Sequence, residues 1–272
     1  MSQALVLGAG GITGIAWQFG LLAGLADQGI DPRRANLVVG TSAGAVVGAQ
    51  LAGDVDLEAR YARELCGARG ERSARPSLLT VVRLGVAMSE ADPLRSRQKV
   101  GALAMRARTE PPAARRAVVA DWLSGVTTWP EAPLSITATN ARTGEFVVFD
   151  STTGVDLVDA VAASCASPGV RPTVTINGEQ FYDGGLRSTI NVDLAGEHQR
   201  LLVLAPLSGT QREIDEVSSS SQVVQVVPDD EARRAVGRSP FQMLTPAKRP
   251  AAAKAGRKQA ARVAEQVADL WA

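Results

Sequence analysis

Leu37-Val38-Val39-Gly40-Thr41-Ser42-Ala43-Gly44-Ala45-Val46-Val47 decides the fold: a short apolar run enters a Gly-x-Ser-x-Gly turn and leaves it as a small-residue helix. A serine between two glycines on a tight strand-to-helix turn presents its hydroxyl at the sheet edge, because bulkier flanking residues clash in that strained backbone. Ser42 is therefore the candidate nucleophile, with Gly40 and Gly44 supporting the turn. A helix starting at Ala43 aims free N–H groups and its positive dipole end at the serine oxygen and at any oxyanion beside it. The plainer reading is a β-turn-α connection in which Ser42 only caps the helix.

Upstream, Ala4 to Leu7 reads as a buried strand entering Gly8-Ala9-Gly10-Gly11-Ile12-Thr13-Gly14. Ile15, Ala16, Phe19, Leu22, Ala23 and Ala26 then mark one face of a helix ending at Gly29. Two successive strand-loop-helix units predict neighbouring parallel strands, joined by a right-handed crossover, whose loops emerge at one C-terminal sheet edge. The glycine loop looks like a dinucleotide fingerprint, but after glycines at 8 and 10 the third falls on Thr13. Nucleotide or phosphate cradling by Gly8 to Gly14 stays an alternative. The other use of such a loop is an oxyanion hole, in which glycines let backbone N–H groups approach a reacting carbonyl.

Downstream, Leu134 to Thr139 alternates as a strand, and Arg142 to Glu145 turns it into Phe146 to Phe149. Asp156 to Ala163 reads as a short helix stopped by Ser164 to Gly169. Thr173 to Ile176 and Glu179 to Tyr182 form a hairpin across Asn177-Gly178, delivering Asp183 onto Gly184-Gly185. Partial burial raises an aspartate's pKa and makes it a workable base for a serine proton. Leu201 to Leu204 and Val223 to Val227 read as further strands, and Ser218 to Ser221 as a linker. A last helix, about 251–271, is expected to pack Val263, Val267, Leu270 and Trp271 on the body.

The 272 residues carry a net charge of +1, so global electrostatics favour neither nucleic acid nor a strongly acidic partner, no nucleic acid partner is expected, and any charged partner would have to be met locally. Cys66 and Cys165 read as reduced core residues, and His198 as a surface histidine, too few ligands for a zinc site. A Ser-His-Asp hydrolase using His198 is the rival enzyme reading, since Ser42, Asp183 and His198 follow that chain order. Met1 to Gly8 has no basic leader segment, so a cytoplasmic location is expected. Residues 54–125 read as helical and basic, with 11 Lys and Arg against four Asp and Glu from Cys66 to Ala120. The interleaved Leu78, Leu79, Val81, Val82, Leu84, Val86 and Met88 suit a helix at an anionic membrane surface or over an acyl pocket. An ordinary arginine-rich solvated face is the plainer reading.

Together Gly10-Gly11-Ile12-Thr13-Gly14, Gly40-Thr41-Ser42-Ala43-Gly44, Ala163 to Pro172 and Asp183-Gly184-Gly185 resemble the patatin-like phospholipases. The resemblance implies a three-layer α/β/α fold with a mixed, mainly parallel sheet, and one domain over 1–272. That domain has its core at about 4–207, the basic helical insert at about 54–125 and C-terminal strand and helices at about 222–272. It further implies a Ser42–Asp183 dyad, an oxyanion hole from Gly10, Gly11 and Ala43, structural glycines at 14, 40, 44, 184 and 185, and a lipid or acyl-ester substrate. No metal or cofactor is expected. Two positions depart from the family: Ala9 stands for a third glycine and Thr13 for a basic residue. The backbone N–H of Ala9 is expected to keep the loop's donors intact.

Overall fold

The computed structural model describes residues 1–67, 76–207 and 211–271. The chain runs β1 (Gln3–Leu7), α1 (Gly11–Asp27), β2 (Leu37–Gly40), α2 (Ala43–Ala52), α3 (Leu57–Leu65), α4 (Leu78–Met88), α5 (Pro93–Arg106) and α6 (Pro112–Trp122). It continues through β3 (Leu134–Asn140), β4 (Phe146–Phe149), α7 (Leu157–Ser164), β5 (Val174–Ile176), β6 (Glu179–Asp183) and β7 (Arg200–Leu204). It ends with α8 (Gln211–Ser218), β8 (Gln222–Val226), α9 (Asp230–Val236) and α10 (Arg249–Trp271).

The strands form one sheet in the order β5-β6-β3-β2-β1-β7-β8, with β4 paired to β3 outside that path. From β3 to β8 along this order the strands are parallel, while β4 and β6 run antiparallel to β3, and β5 to β6. Leu7 lies opposite Gly40 on one side and Leu204 on the other, so the loops after β1, β2 and β7 leave the sheet at one level. β1 and β7 are continuous apolar runs because both of their faces are covered. Leu5, Leu7 and Leu202 pack with α1, α2 and α10, whereas Ala4, Val6, Leu201 and Val203 pack with Ile190, Val192 and α8. Toward β6 that second face is closed by Tyr182 against Val100 of α5. A mixed, mainly parallel sheet between helical layers is the architecture expected from the sequence.

The tightest helix pair is α1 on α10, and its seam is built from small residues. A Cβ on Gly20 would lie 2.0 Å from the Ala253 carbonyl oxygen, and one on Gly256 2.3 Å from that of Trp17. Trp17 Nε1 donates to Gln259 Oε1 across the seam at 3.0 Å. Val267 and Leu270 are buried as expected, but the main contact is this upstream Gly/Ala stripe.

Two local readings are corrected. Ser218 to Ser221 is not a linker: the hydroxyls of Ser218, Ser219 and Ser220 donate to the carbonyls of Ile214, Glu216 and Val217, satisfying the end of α8 before β8 begins. Cys66 is not a core residue, because it follows the last turn of α3 and is exposed, while Cys165 is buried. Four helices, α3 to α6, fill the described part of the basic insert. Among the described residues no helix is long and apolar enough to cross a membrane.

Candidate active site

Ser42 sits between β2 and α2 at φ 54° and ψ −112°, a conformation that an L-residue holds only when its surroundings impose it. Those surroundings are visible. A Cβ on Gly44 would lie 1.8 Å from the Leu7 carbonyl oxygen, and one on Gly40 2.6 Å from Ala45 Cα, so only glycine lets α2 start against β1. The Ser42 N–H donates to Ser164 Oγ at 2.8 Å, and the Cys165 thiol donates to the Ser42 carbonyl at 3.2 Å. The hydroxyl makes no cap bond to α2. It donates instead to Asp183 Oδ2 at 2.8 Å. The capping reading of Ser42 is thereby overturned.

Asp183 ends β6, opposite Ala138 of β3, and its N–H donates to the Ala166 carbonyl at 3.2 Å. Its Oδ1 accepts the Gly185 N–H at 2.8 Å, and Oδ2 also accepts Ser167 Oγ at 3.4 Å. Ser42 and Asp183 are 6% and 5% exposed. Burial raises the Asp183 pKa from 3.8 to about 6, against the opposing hydrogen bonds from Gly185, Ser42 and Ser167. Gly184 is required where it stands, since its Cβ would lie 2.5 Å from Thr137 Oγ1. Thr41 Oγ1 accepts from both Thr137 Oγ1 and Asn191 Nδ2 at 3.0 Å, tying β2, β3 and the loop before β7 together beneath the pair.

Gly11 opens α1 at φ 58°, in the left-handed region that favours glycine, with Met243 close against it. Gly11 and Ala43 are the first residues of α1 and α2, whose first-turn N–H groups have no intrahelical acceptors. The Gly14 N–H donates to the Gly10 carbonyl at 2.9 Å and closes the turn. Ala9 behaves differently from the expectation: its N–H donates to the Thr189 carbonyl at 2.8 Å. That amide is spent on holding the loop. Thr13 turns its hydroxyl inward to the Val236 carbonyl at 2.7 Å, fastening α1 to the end of α9.

Above the pair opens a mainly aliphatic cavity of about 420 Å³, floored by Gly10, Gly11, Ser42 and Asp183. Val81, Leu84 and Met88 of α4 form one wall, and Leu207, Phe241 and Leu244 another. The expectation that this part of the insert covers a pocket is met by α4. A narrower cleft that also reaches Ser42 is lined by Arg115 and Arg171. Arg115 stacks on Trp122 at 4.4 Å, and Arg171 pairs with Glu110 at 2.8 Å. Cys165 beside them is no nucleophile, because burial pushes its thiol up to about 12.

His198 is not brought to this site. It precedes Arg200, which pairs with Gln3 at the start of β1, whereas Ser42 lies beyond the opposite ends of these parallel strands. Ser164 and Ser167, which position the backbone of Ser42 and the carboxylate of Asp183, had no assigned role in the sequence. Their signal was the pair of hydroxyls, Ser164 and Ser167, on either side of Cys165-Ala166 at the end of a short helix. Among the described residues no three His, Cys, Asp or Glu side chains cluster as a metal site.

A family model described as patatin-like phospholipase matches residues 5–195. No curated protein sequence matches the chain. Among solved structures, VipD from Legionella pneumophila is similar over 97% of this chain and 67% of its own, at 13% identity and a TM-score of 0.48. ExoU from the type III secretion system of Pseudomonas aeruginosa, in complex with SpcU, is similar over 99% of this chain at 19% identity and a TM-score of 0.43. The match takes in 53% of that chain, so the present sequence spans about half of ExoU. With the family model extending over well more than half of its length, the chain belongs to the patatin-like phospholipase family.

Proposed function

We propose that Ser42 and Asp183 are the catalytic dyad of a serine acyl hydrolase acting on phospholipids, lysophospholipids or related acyl esters. The observation that carries this is the 2.8 Å hydrogen bond between two buried side chains on the floor of an aliphatic cavity. Asp183 Oδ2 takes the hydroxyl proton as Ser42 Oγ attacks the ester carbonyl. The tetrahedral oxyanion forms beside the N–H groups of Gly10, Gly11 and Ala43, each such donor contributing about 3 kcal/mol in comparable sites. Collapse breaks the bond to the alcohol, which leaves with the proton from Asp183. Water, deprotonated by the same carboxylate, attacks the acyl-serine, and the second collapse returns the proton to Ser42 and releases the fatty acid.

An aspartate base has no tautomer to select, so the hydrogen bonds from Gly185 and Ser167 are sufficient to aim it. A phosphate cradle at Gly8 to Gly14 has less support, because the loop lacks a lysine and the Thr13 hydroxyl is already committed to Val236. A fluorophosphonate probe tests the central assignment. Covalent labelling of the wild type that disappears in Ser42→Ala is the expected result, and equal labelling of Ser42→Ala refutes it.

A further inference from the structure

The helix α4 is apolar on both of its sides. Val81, Leu84 and Met88 face the catalytic cavity, while Leu78, Leu79, Val82 and Val86 are 80%, 57%, 54% and 67% exposed. Leu78, Val82 and Val86 follow one another at four-residue spacing and therefore form one line along the helix. Arg83 is the single charged residue of α4. A helix hydrophobic all round belongs between two apolar surroundings, and a contiguous exposed apolar face marks a contact site. Apart from Arg83, exposed at its edge beside Leu79 and Val86, this face carries only aliphatic groups, without the aromatic side chains that protein interfaces favour. Hydrocarbon matches it better.

A second feature adjoins the same cavity. A cleft of about 620 Å³ is lined by Arg233, Arg234 and Arg238 against Asp230, and it shares Leu207 and Met243 with the catalytic cavity. All three arginines are exposed. One rim of the cavity thus offers aliphatic side chains and another offers guanidinium groups, the two signals that together hold a protein on an anionic membrane.

We propose that this rim docks on an anionic lipid bilayer, the outer face of α4 entering the acyl region and the Arg233, Arg234 and Arg238 cleft meeting lipid phosphates. The proposal rests on the Ser42 site acting on lipid esters, since docking in this pose sets the cavity mouth against the substrate's own phase. Co-sedimentation of the full chain with vesicles of phosphatidylglycerol and phosphatidylcholine, or of phosphatidylcholine alone, reads it directly. Wild type prefers the phosphatidylglycerol vesicles. Val82→Glu with Val86→Glu lowers partition at least about tenfold, and Val82→Trp with Val86→Trp raises it.

Replacing Arg233, Arg234 and Arg238 by Gln removes the preference for phosphatidylglycerol, about a hundredfold in partition. Turnover of a soluble short-chain ester stays at the wild-type level in the Val82/Val86 variants, which shows that they are folded. Equal sedimentation of wild type and the Glu variant overturns the proposal. So does a wild-type dimer that the Glu variant splits in analytical ultracentrifugation with vesicle partition unchanged, because a second copy then covers α4. Partition is read without turnover, so its failure is distinct from a failure of the dyad, which Ser42→Ala reports.

Discussion

Replacing Asp183 by asparagine separates what the carboxylate does for chemistry from what it does to stability. In the unfolded chain Asp183 titrates near its ordinary 3.8, and burial raises it to about 6 in the folded protein. Between those values the folded state binds the proton and the unfolded state has released it, so wild-type stability falls as pH rises through this window. The gap, at about 1.4 kcal/mol per pH unit, corresponds to about 3 kcal/mol of destabilisation above pH 6. Asparagine does not titrate. Its carbonyl accepts the Gly185 N–H and its amide donates to Ser42 Oγ, so the local hydrogen bonds are kept. Asp183→Asn is therefore expected to equal wild type near about pH 4 and to exceed it by up to about 3 kcal/mol near about pH 8, measured by urea unfolding at both values. A stability difference independent of pH, or a wild type more stable than the variant at the higher pH, refutes the buried, raised carboxylate.

Gly44→Ala places a methyl where the Leu7 carbonyl already stands at 1.8 Å, so α2 must move off β1. A loss of roughly 2–3 kcal/mol in chemical denaturation, together with loss of turnover, is expected from that overpacking. Thr13→Val keeps the shape but removes the donor to the Val236 carbonyl, a cost of about 1–2 kcal/mol that a denaturation midpoint will show. Iodoacetamide should alkylate exposed Cys66 and spare Cys165 in the native protein, with mass spectrometry of the digested product reporting one modified cysteine.

The parts of the site legible in the sequence are those that local backbone chemistry dictates. The glycines around Ser42 announce a turn too tight for side chains, and Asn177-Gly178 announces the hairpin that carries Asp183. The shared edge of the Gly8 to Gly14 loop and Ser42 followed from one topological rule, that successive parallel strands deliver their loops to the same side, whereas Asp183 arrives on β6, antiparallel to β3, which that rule does not place. What the sequence concealed depends on contacts between distant segments. Whether the Ala9 amide is free was undetermined until the Thr189 carbonyl came to meet it. Thr13 read as the loss of a basic residue, although its hydroxyl fastens α1 to a segment more than two hundred residues away. The α1 and α10 seam was equally hidden, because Gly20 and Gly256 have no hydrophobic signature of their own and act by permitting close approach. Ser218 to Ser221 misled for the opposite reason: a composition typical of linkers finishes a helix once its hydroxyls find carbonyls one turn back.

The dyad is tested most directly by kcat/KM for an acyl ester across pH in wild type, Ser42→Ala, Asp183→Asn and His198→Ala. The account predicts an acid limb of unit slope near pH 6 in wild type, where Asp183 loses its proton, and the same limb in His198→Ala. Ser42→Ala and Asp183→Asn should each fall by at least about 10⁴-fold, as removal of a nucleophile or its base does in other serine hydrolases. Retained turnover in Asp183→Asn, or its loss in His198→Ala, contradicts it.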